Sequence, residues 1–235
     1  KIATVNNENY KNYFVSDATN YYTVFDDGGI YLSTTEELHK HFLCGGNTCS
    51  KIGHNEENST TTFKEWSDAT KLPSVEGKYY LTKNVTISNT WTPAIGMVLC
   101  LNGHTITCAN DGKVINLSSD GIFTLTDCSE HETGKVTHAS NTTGGGVYVY
   151  GGIFTMYGGS ITGNKAGSDN GGGVHVRMSG SRFNMVGGSI TDNTASKGGG
   201  VYVESVGQFT MSGGSISKNG ATNTGQNCNG GGVYV

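Results

Sequence analysis

The chain has little charge and almost no proline. Of its 235 residues, 14% are charged, two are proline and two are arginine, and the formal net charge is −4. So little proline excludes a collagen-like chain or a proline-rich linker. A basic patch that neutralises a run of phosphates cannot be built from this composition, which argues against nucleic-acid binding.

Long apolar runs are missing as well. The longest, residues 94–101, includes a glycine and is far shorter than the roughly 20 residues that span a bilayer, so we expect no membrane insertion by this part of the polypeptide. No signal peptide is evident, and the repeat pattern described below stops in mid-unit at Val235. We therefore interpret the sequence as a processed or truncated piece of a longer protein with further domains.

Glycine is abundant, with 37 residues, and it marks an internal repeat. A G-G-G-V-x-V element is followed by F-x-M, then by G-G-S-I, and each unit ends in asparagine. The first element occupies residues 144–149, 171–176, 198–203 and 230–235. A degenerate copy covers residues 112–137, and residues 77–107 resemble an earlier, looser one.

Each element of the repeat alternates apolar with polar residues and is bounded by glycine or asparagine, which is strand periodicity. Three short strands per unit, with no helix-length segment between them, predict an all-β coil whose turns stack as parallel strands. We expect one set of side chains to point inward and stack on its equivalents: Val147, Val149, Phe154, Met156 and Ile161. The intervening side chains should point outward: Tyr148, Thr155, Ser160 and Thr162.

The asparagine that ends each unit allows two interpretations. Asn164, Asn193 and Asn219 could form an inward ladder of amides at one corner of the coil. They could instead only cap turns, because asparagine tolerates left-handed turn conformations.

A stacked coil needs a cover over the unpaired backbone at its end. Residues 63–76 carry apolar side chains at Phe63, Trp66 and Leu72. We interpret this segment as a short amphipathic capping helix with Trp66 over the first rung.

The repeat motifs G-G-G-V-Y-V and F-T-M-Y-G-G-S-I-T-G-N resemble those of right-handed parallel β-helix surface proteins from Gram-positive gut bacteria. They are also similar to the repeats of chlamydial polymorphic outer-membrane adhesins. The resemblance covers residues 77–235, where Y-Y-L-T at 79–82 and L-C-L-N-G at 99–103 match the lead-in of the first group. It implies a right-handed parallel β-helix (solenoid, three short strands per coil), a secreted or cell-surface location and an adhesin-type role.

Residues 1–62 lie largely outside this resemblance and form an N-terminal module whose fold the sequence does not define. Their densest chemical cluster contains five candidate zinc ligands, of types that suit tetrahedral zinc: His39, His41, Cys44, Cys49 and His54. A Cys44–Cys49 disulfide with exposed histidines is the competing interpretation, since an extracellular setting favours oxidation. A catalytic zinc is less well supported, because nothing marks an open coordination position.

The other cysteines leave similar alternatives. Cys100 and Cys128 occupy equivalent regions of successive coils, so a bridge between neighbouring rungs is possible. Cys108 competes for the same partner, buried thiols are equally compatible with the sequence, and Cys228 has no obvious partner.

Catalysis is poorly supported in the repeat region. Glycoside hydrolysis needs two carboxylates at one sugar bond, and the lyases of this fold class generally need acidic calcium ligands and a base. Residues 144–235 contain only Asp169, Asp192 and Glu204 as acids. We predict no catalytic residues and keep a polysaccharide lyase or glycoside hydrolase as the alternative.

Aromatic residues recur at the outward position of the G-G-G-V-x-V strand. The candidate ligand-binding residues are Tyr148, Tyr150, His175, Arg177, Tyr202 and Tyr234. A column of rings could stack on sugar faces or anchor a protein partner. It could also only stabilise the sheet through cross-strand ring contacts.

The sequence thus favours a non-catalytic adhesin or binding protein that recognises a host or dietary glycan, or a surface protein, through the face of the coil. A structural spacer stalk that carries other domains is a further alternative.

Overall fold

The computed structural model describes residues 63–129, 131–204, 206–223 and 230–235, together with the backbone of five short strands that precede them. The chain divides into two compact units, Lys1–His39 and Lys40–Val235. The first unit contains β1 (Ala3–Thr4), β2 (Tyr22–Asp26) and β3 (Gly29–Ser33). These strands form an antiparallel sheet of order β1-β3-β2.

The second unit begins with the antiparallel pair β4 (Lys40–Phe42) and β5 (Thr60–Thr62). From residue 63 onward the described chain is all-β and contains no helix, and its strands pair only in parallel. Three stacked sheets and one short strand pair form a solenoid, as the repeat predicts.

Sheet I has seven strands: β6 (Lys64–Trp66), β7 (Lys78–Leu81), β9 (Met97–Cys100), β12 (Ile122–Thr126), β15 (Ile153–Met156), β18 (Arg182–Met185) and β22 (Gln208–Met211). Sheet II has six: β8 (Val85–Ile87), β10 (Thr105–Cys108), β13 (Lys135–His138), β16 (Ser160–Thr162), β19 (Ser189–Thr191) and β23 (Ser215–Ser217).

Sheet III has five strands: β11 (Ile115–Leu117), β14 (Val147–Tyr150), β17 (Val174–Arg177), β21 (Val201–Val203) and β25 (Val233–Tyr234). The short pair β20 (Thr194–Ala195) and β24 (Gly220–Ala221) lies in the connection between sheets II and III.

The core consists of columns of identical or similar apolar residues, because the repeats pair in register. Phe123, Phe154, Phe183 and Phe209 are consecutive register partners in sheet I, with ring centroids 5.8, 5.0 and 5.1 Å apart. Every side chain predicted to point inward is buried, and every one predicted to point outward is half-buried. The predicted inward and outward columns are confirmed.

Glycine at the third position of G-G-G-V-x-V reflects close approach between rungs. A Cβ on Gly173 would lie 2.6 Å from both the Gly200 carbonyl oxygen and Ile190 Cγ2. No side chain fits there without moving the backbone of the next rung. Gly188, at another corner, has a φ of +80° and so combines this steric demand with a left-handed conformation that favours glycine.

The predicted capping helix at residues 63–76 is wrong. Residues 64–66 instead form β6, which pairs in parallel with β7 and adds a rung to sheet I. Thr86 lies in β8, the end strand of sheet II, and its amide donates to the carbonyl of Ala69, beyond β6, at 2.8 Å. An extended segment satisfies backbone groups at the end of the sheet directly, which a helix cannot do. Trp66 still covers the first rung, with its ring edge-on to Tyr79 at 5.7 Å.

The asparagine ladder is confirmed. Asn164 Nδ2 donates to Asn193 Oδ1 at 2.9 Å, and Asn193 Nδ2 donates to Asn219 Oδ1 at 3.0 Å. The same two oxygens accept from the backbone N–H groups of Asn164 and Asn193. The ladder extends one rung further, because His138 Nδ1 lies 2.9 Å from Asn164 Oδ1. The amide oxygen can only accept, so Nδ1 donates.

Candidate ligand-binding face

A column of rings covers the outer face of sheet III. Alternate side chains of a strand point to opposite sides, so Val147 and Val149 enter the core while Tyr148 faces out. Parallel pairing in register then places Tyr148 beside His175, His175 beside Tyr202, and Tyr202 beside Tyr234. We call these four residues the ring column.

The rings of this column are in contact along its whole length. Centroid separations from Tyr148 to Tyr234 are 5.1, 5.0 and 5.3 Å, within the range of favourable aromatic pairs. His175 meets both neighbours edge-on, whereas Tyr202 and Tyr234 are stacked with an angle of 4° between their planes. Tyr150 widens the column, with its ring 5.9 Å from that of Tyr148.

Exposure differs along the column. His175 is only 8% exposed although its position faces outward, because the rings of Tyr148 and Tyr202 stand on either side of it. The three tyrosines of the column and the adjacent Tyr150 are half-buried and keep part of their rings accessible. A ligand would therefore contact the tyrosines, and His175 would set their spacing.

Ion pairs and hydrogen bonds connect the ring column with neighbouring charged side chains. Glu204 Oε1 lies 3.3 Å from His175 Nε2 and 3.3 Å from Arg177 Nε. The guanidinium of Arg177 also donates to the Tyr148 hydroxyl at 3.5 Å. Burial lowers the pKa of His175 despite the opposing effect of Glu204. The imidazole is therefore neutral near pH 7 and its Nε2–H donates to Glu204.

A polar groove of about 450 Å³ lies next to the ring column. It is lined by Asp111, Gly112, Lys113, Thr143, Gly144, Ala166, Gly167, Ser168 and Asp169. Lys113 Nζ and Asp169 Oδ2 form an ion pair at 2.9 Å across it. The lining residues Lys113 and Gly144 lie just before β11 and β14, which places the groove at the start of sheet III.

Both carboxylates of the groove are stabilised in their charged form. Asp111 accepts from the Thr143 amide at 2.7 Å, and this hydrogen bond lowers its pKa. The hydrogen bond from Lys113 lowers the pKa of Asp169. A general acid for glycoside cleavage needs a raised pKa, whereas the pKa of each of these two carboxyl groups is lowered.

All six predicted ligand-binding residues come together on this face, whereas the groove was missed by sequence reasoning. Its lining comes from connections between sheets II and III in different repeats, so Asp111 and Asp169 are distant in sequence. The sequence feature that could have indicated the groove is the glycine-rich corner before each strand of sheet III, because glycine has no side chain to fill the space there.

The predicted zinc ligands lie outside the described residues. His41 falls in β4, of which only the backbone is described, and His39, Cys44, Cys49 and His54 fall between the described strands. Zinc and the Cys44–Cys49 disulfide both stay predictions. Elsewhere in the described part of the chain, no group of three or more histidine, cysteine or acidic side chains is arranged to hold a metal ion.

In the part of the chain that the structure describes, no helix has the length and apolar character to cross a bilayer.

No protein-family model, curated protein or solved structure matches the chain. The geometry of the ring column and the groove is therefore the basis for a functional inference.

Proposed function

We propose that this chain is a non-catalytic binding protein of the cell surface or extracellular space, and that the ring column with the polar groove recognises a glycan. The proposal rests on the ring column, a contiguous series of rings across four rungs in which the tyrosines are partly exposed. Aromatic faces pack against the apolar faces of sugar rings, and a few convergent polar groups fix orientation.

The polar groove supplies the second part of such a site. Lys113, Asp169 and Asp111 present charged donors and acceptors, and Ser168 and Thr143 add hydroxyl groups. Sugar hydroxyls both donate and accept, so a groove with both kinds of group suits them. An extended glycan could lie along the tyrosines with one end in the groove.

The cellular location is part of the same proposal. The resemblance of the repeats to those of bacterial surface proteins supports it. The outer positions of the solenoid are polar, and the composition is poor in charge, which agrees with a surface that binds neutral saccharides.

A glycan array of plant-wall and mucin-type oligosaccharides tests the proposal, followed by calorimetry with the best ligand. We expect Tyr148→Ala and Tyr202→Ala each to weaken binding by about tenfold, since a lost aromatic contact amounts to about 1–1.5 kcal/mol. Tyr157→Ala is the matched control, because this tyrosine is also half-buried but follows a strand of sheet I.

Thermal unfolding of each variant checks that the fold is intact, and Tyr202→Phe, which keeps the ring, should retain binding. Unchanged affinity in both alanine variants would remove the ring column as the site. Binding of no glycan, with capture of a purified surface protein that depends on Tyr148, would replace the glycan with a protein partner. Absence of any ligand would favour the structural spacer.

A further inference from the structure

Two cysteines meet between neighbouring rungs of the solenoid. Cys100 ends β9 of sheet I, and Cys128 follows the end of β12, the next strand of the same sheet. Their sulfur atoms lie 2.9 Å apart. Cys100 is fully buried and Cys128 is 7% exposed, and both pack against Phe63 in a small cluster of their own.

The chain fixes this meeting through the corner after β12. Thr126 is the register partner of Cys100, and the chain turns at the buried Asp127. The carboxylate of Asp127 accepts from the amides of Gly103, Ser129 and Gly134 at 2.9, 3.0 and 2.6 Å. The turned chain points the Cys128 amide at Cys100 Sγ, 3.3 Å away.

The geometry separates this pair from the third cysteine of the described region. Cys108 ends β10 in sheet II, and its sulfur contacts the carbonyl oxygen of Asn110 at 3.3 Å. The competition between Cys100 and Cys108 that the sequence leaves open is therefore decided by their different sheets. Cys228 lies outside the described residues.

We propose that Cys100 and Cys128 are joined by a disulfide bond that links two successive rungs of the solenoid. The proposal is independent of the glycan-binding function. It requires only an environment that contains a disulfide oxidant, such as oxidised glutathione or the disulfide of a thiol oxidoreductase.

The chemistry is two successive thiol–disulfide exchanges. The Cys128 thiol, which is the more exposed, loses a proton, and its sulfur attacks the oxidant disulfide to form a mixed disulfide with release of one thiolate. The Cys100 thiol then loses its proton and attacks the Cys128 sulfur, which releases the second thiolate. The protein loses two protons and two electrons, and the oxidant takes them up to become two thiols.

The burial of Cys100 determines when the disulfide can form. Burial of Cys100 raises the pKa of its thiol, so the thiolate needed for the second exchange is scarce once the rungs are packed. The bond therefore forms while β9 and β12 come together and is then resistant to reduction.

Peptide mapping of the intact chain tests the bond directly. The protein is produced in an oxidising compartment, unfolded without reductant in the presence of an alkylating reagent, digested and analysed by mass spectrometry. We expect a cross-linked peptide that contains Cys100 and Cys128, and an alkylated Cys108 in the same digest. Alkylation of both Cys100 and Cys128, or their linkage to any other cysteine, would overturn the proposal.

Thermal unfolding with and without dithiothreitol gives a second readout. A bond that closes this loop should raise Tm by roughly 5–10 °C, chiefly by constraining the unfolded chain. Because the folded core shields the bond, the reductant is added to the unfolded chain before refolding. It should then lower the Tm of the wild-type chain clearly more than that of the Cys100→Ser, Cys128→Ser double variant. Cys108→Ser is the matched control and should keep the full response to reductant. An equal Tm for the wild-type chain in both conditions contradicts the proposal, and peptide mapping of the wild type decides if the double variant does not fold.

Discussion

At the scale of single residues, buried polar side chains specify the corner between sheets II and III. Asn193 is fully buried, and its amide has a partner for each group. Its oxygen accepts from the side chain and the backbone of Asn164, and its nitrogen donates to Asn219 and to the carbonyl of Ile161. Such a network is stabilising when complete and costly when one member is lost.

Asn193→Ala should therefore reduce the free energy of unfolding by about 3 kcal/mol, because it leaves buried donors of Asn164 without their acceptor. Urea unfolding monitored by circular dichroism measures the change. Asn184→Ala is the control, since Asn184 lies at an outward, half-buried position of sheet I in the same coil, and it should cost less than 1 kcal/mol, roughly the range of surface substitutions. Equal losses in the two variants would show that the ladder adds nothing.

His175 makes the stability depend on pH. Its pKa in the folded protein is lowered, mainly by burial, so between that value and about 6.5 the unfolded chain binds more protons than the folded one. Stability is therefore complete above about pH 6.5 and falls as the pH decreases below it. Glu204 opposes the shift, whereas Arg177 and Lys113 add to it, and the carboxylate of Asp169 also interacts with the imidazole.

We expect His175→Gln to make the decrease in unfolding free energy between about pH 6.5 and 5 less steep, since glutamine does not titrate. Part of the slope should persist, because burial also lowers the pKa of His104. Asp111 and Asp169, whose pKa values are lowered as well, act only at more acidic pH. Urea titrations at several pH values give the slopes, and identical slopes for variant and wild type would rule out His175 as the sensor.

Residue-scale prediction from sequence succeeded where the repeat was regular and failed where it was degenerate. Asn164, Asn193 and Asn219 occupy equivalent places, so a ladder could be proposed from spacing alone. His138 completes the ladder from the degenerate copy, where it directly follows Thr137, whereas Asn164 is separated from Thr162 by Gly163. That one-residue offset hides the equivalence, because only the folded corner brings the imidazole to the amide.

At the scale of secondary-structure elements, each strand contributes one layer to several columns. Phe183 lies between two other phenylalanines, 5.0 and 5.1 Å from their ring centroids, and is fully buried. Phe209 belongs to the same column but is half-buried. A phenylalanine at the same register position should therefore contribute more to the free energy of unfolding in β18 than in β22.

Phe183→Ala should lower the free energy of unfolding by about 3–5 kcal/mol, because it removes buried apolar surface and leaves a cavity between two rings. Phe209→Ala should cost clearly less, since part of its ring is already in contact with water. The two variants are compared by urea unfolding under identical conditions. An equal or larger loss for Phe209→Ala would contradict the column described here.

Element type was harder to predict at residues 63–72 than in the repeats. Phe63 and Trp66 are three residues apart, which suits one face of a helix, and the segment carries no copy of the repeat motif. In the structure the two side chains serve different clusters. Phe63 packs with Cys100 and Cys128, and Trp66 packs on Tyr79. The backbone N–H and C=O groups of β7 need hydrogen-bond partners, and β6 supplies them by forming a strand. This requirement is not visible in the local sequence.

At the scale of the whole solenoid, each rung contacts chiefly the rung before and the rung after it. Sheet I, for example, is a linear series in which β15 pairs only with β12 and β18. Stability in such a molecule is approximately a sum of rung terms and nearest-neighbour interfaces. The destabilising effect of a substitution in one rung should therefore extend only to the adjacent rungs. This matters for binding because the ring column spans four rungs.

Hydrogen exchange in the Phe183→Ala variant tests this one-dimensional coupling. Amides of Ile153–Met156 and Gln208–Met211, on the two neighbouring strands of sheet I, should exchange faster than in the wild type, since each loses the packing of one face. Amides of Met97–Cys100, two rungs away from the nearer neighbour, should keep wild-type protection. Faster exchange throughout sheet I would mean that the solenoid opens as one cooperative unit, and the ring column could not then be altered one rung at a time.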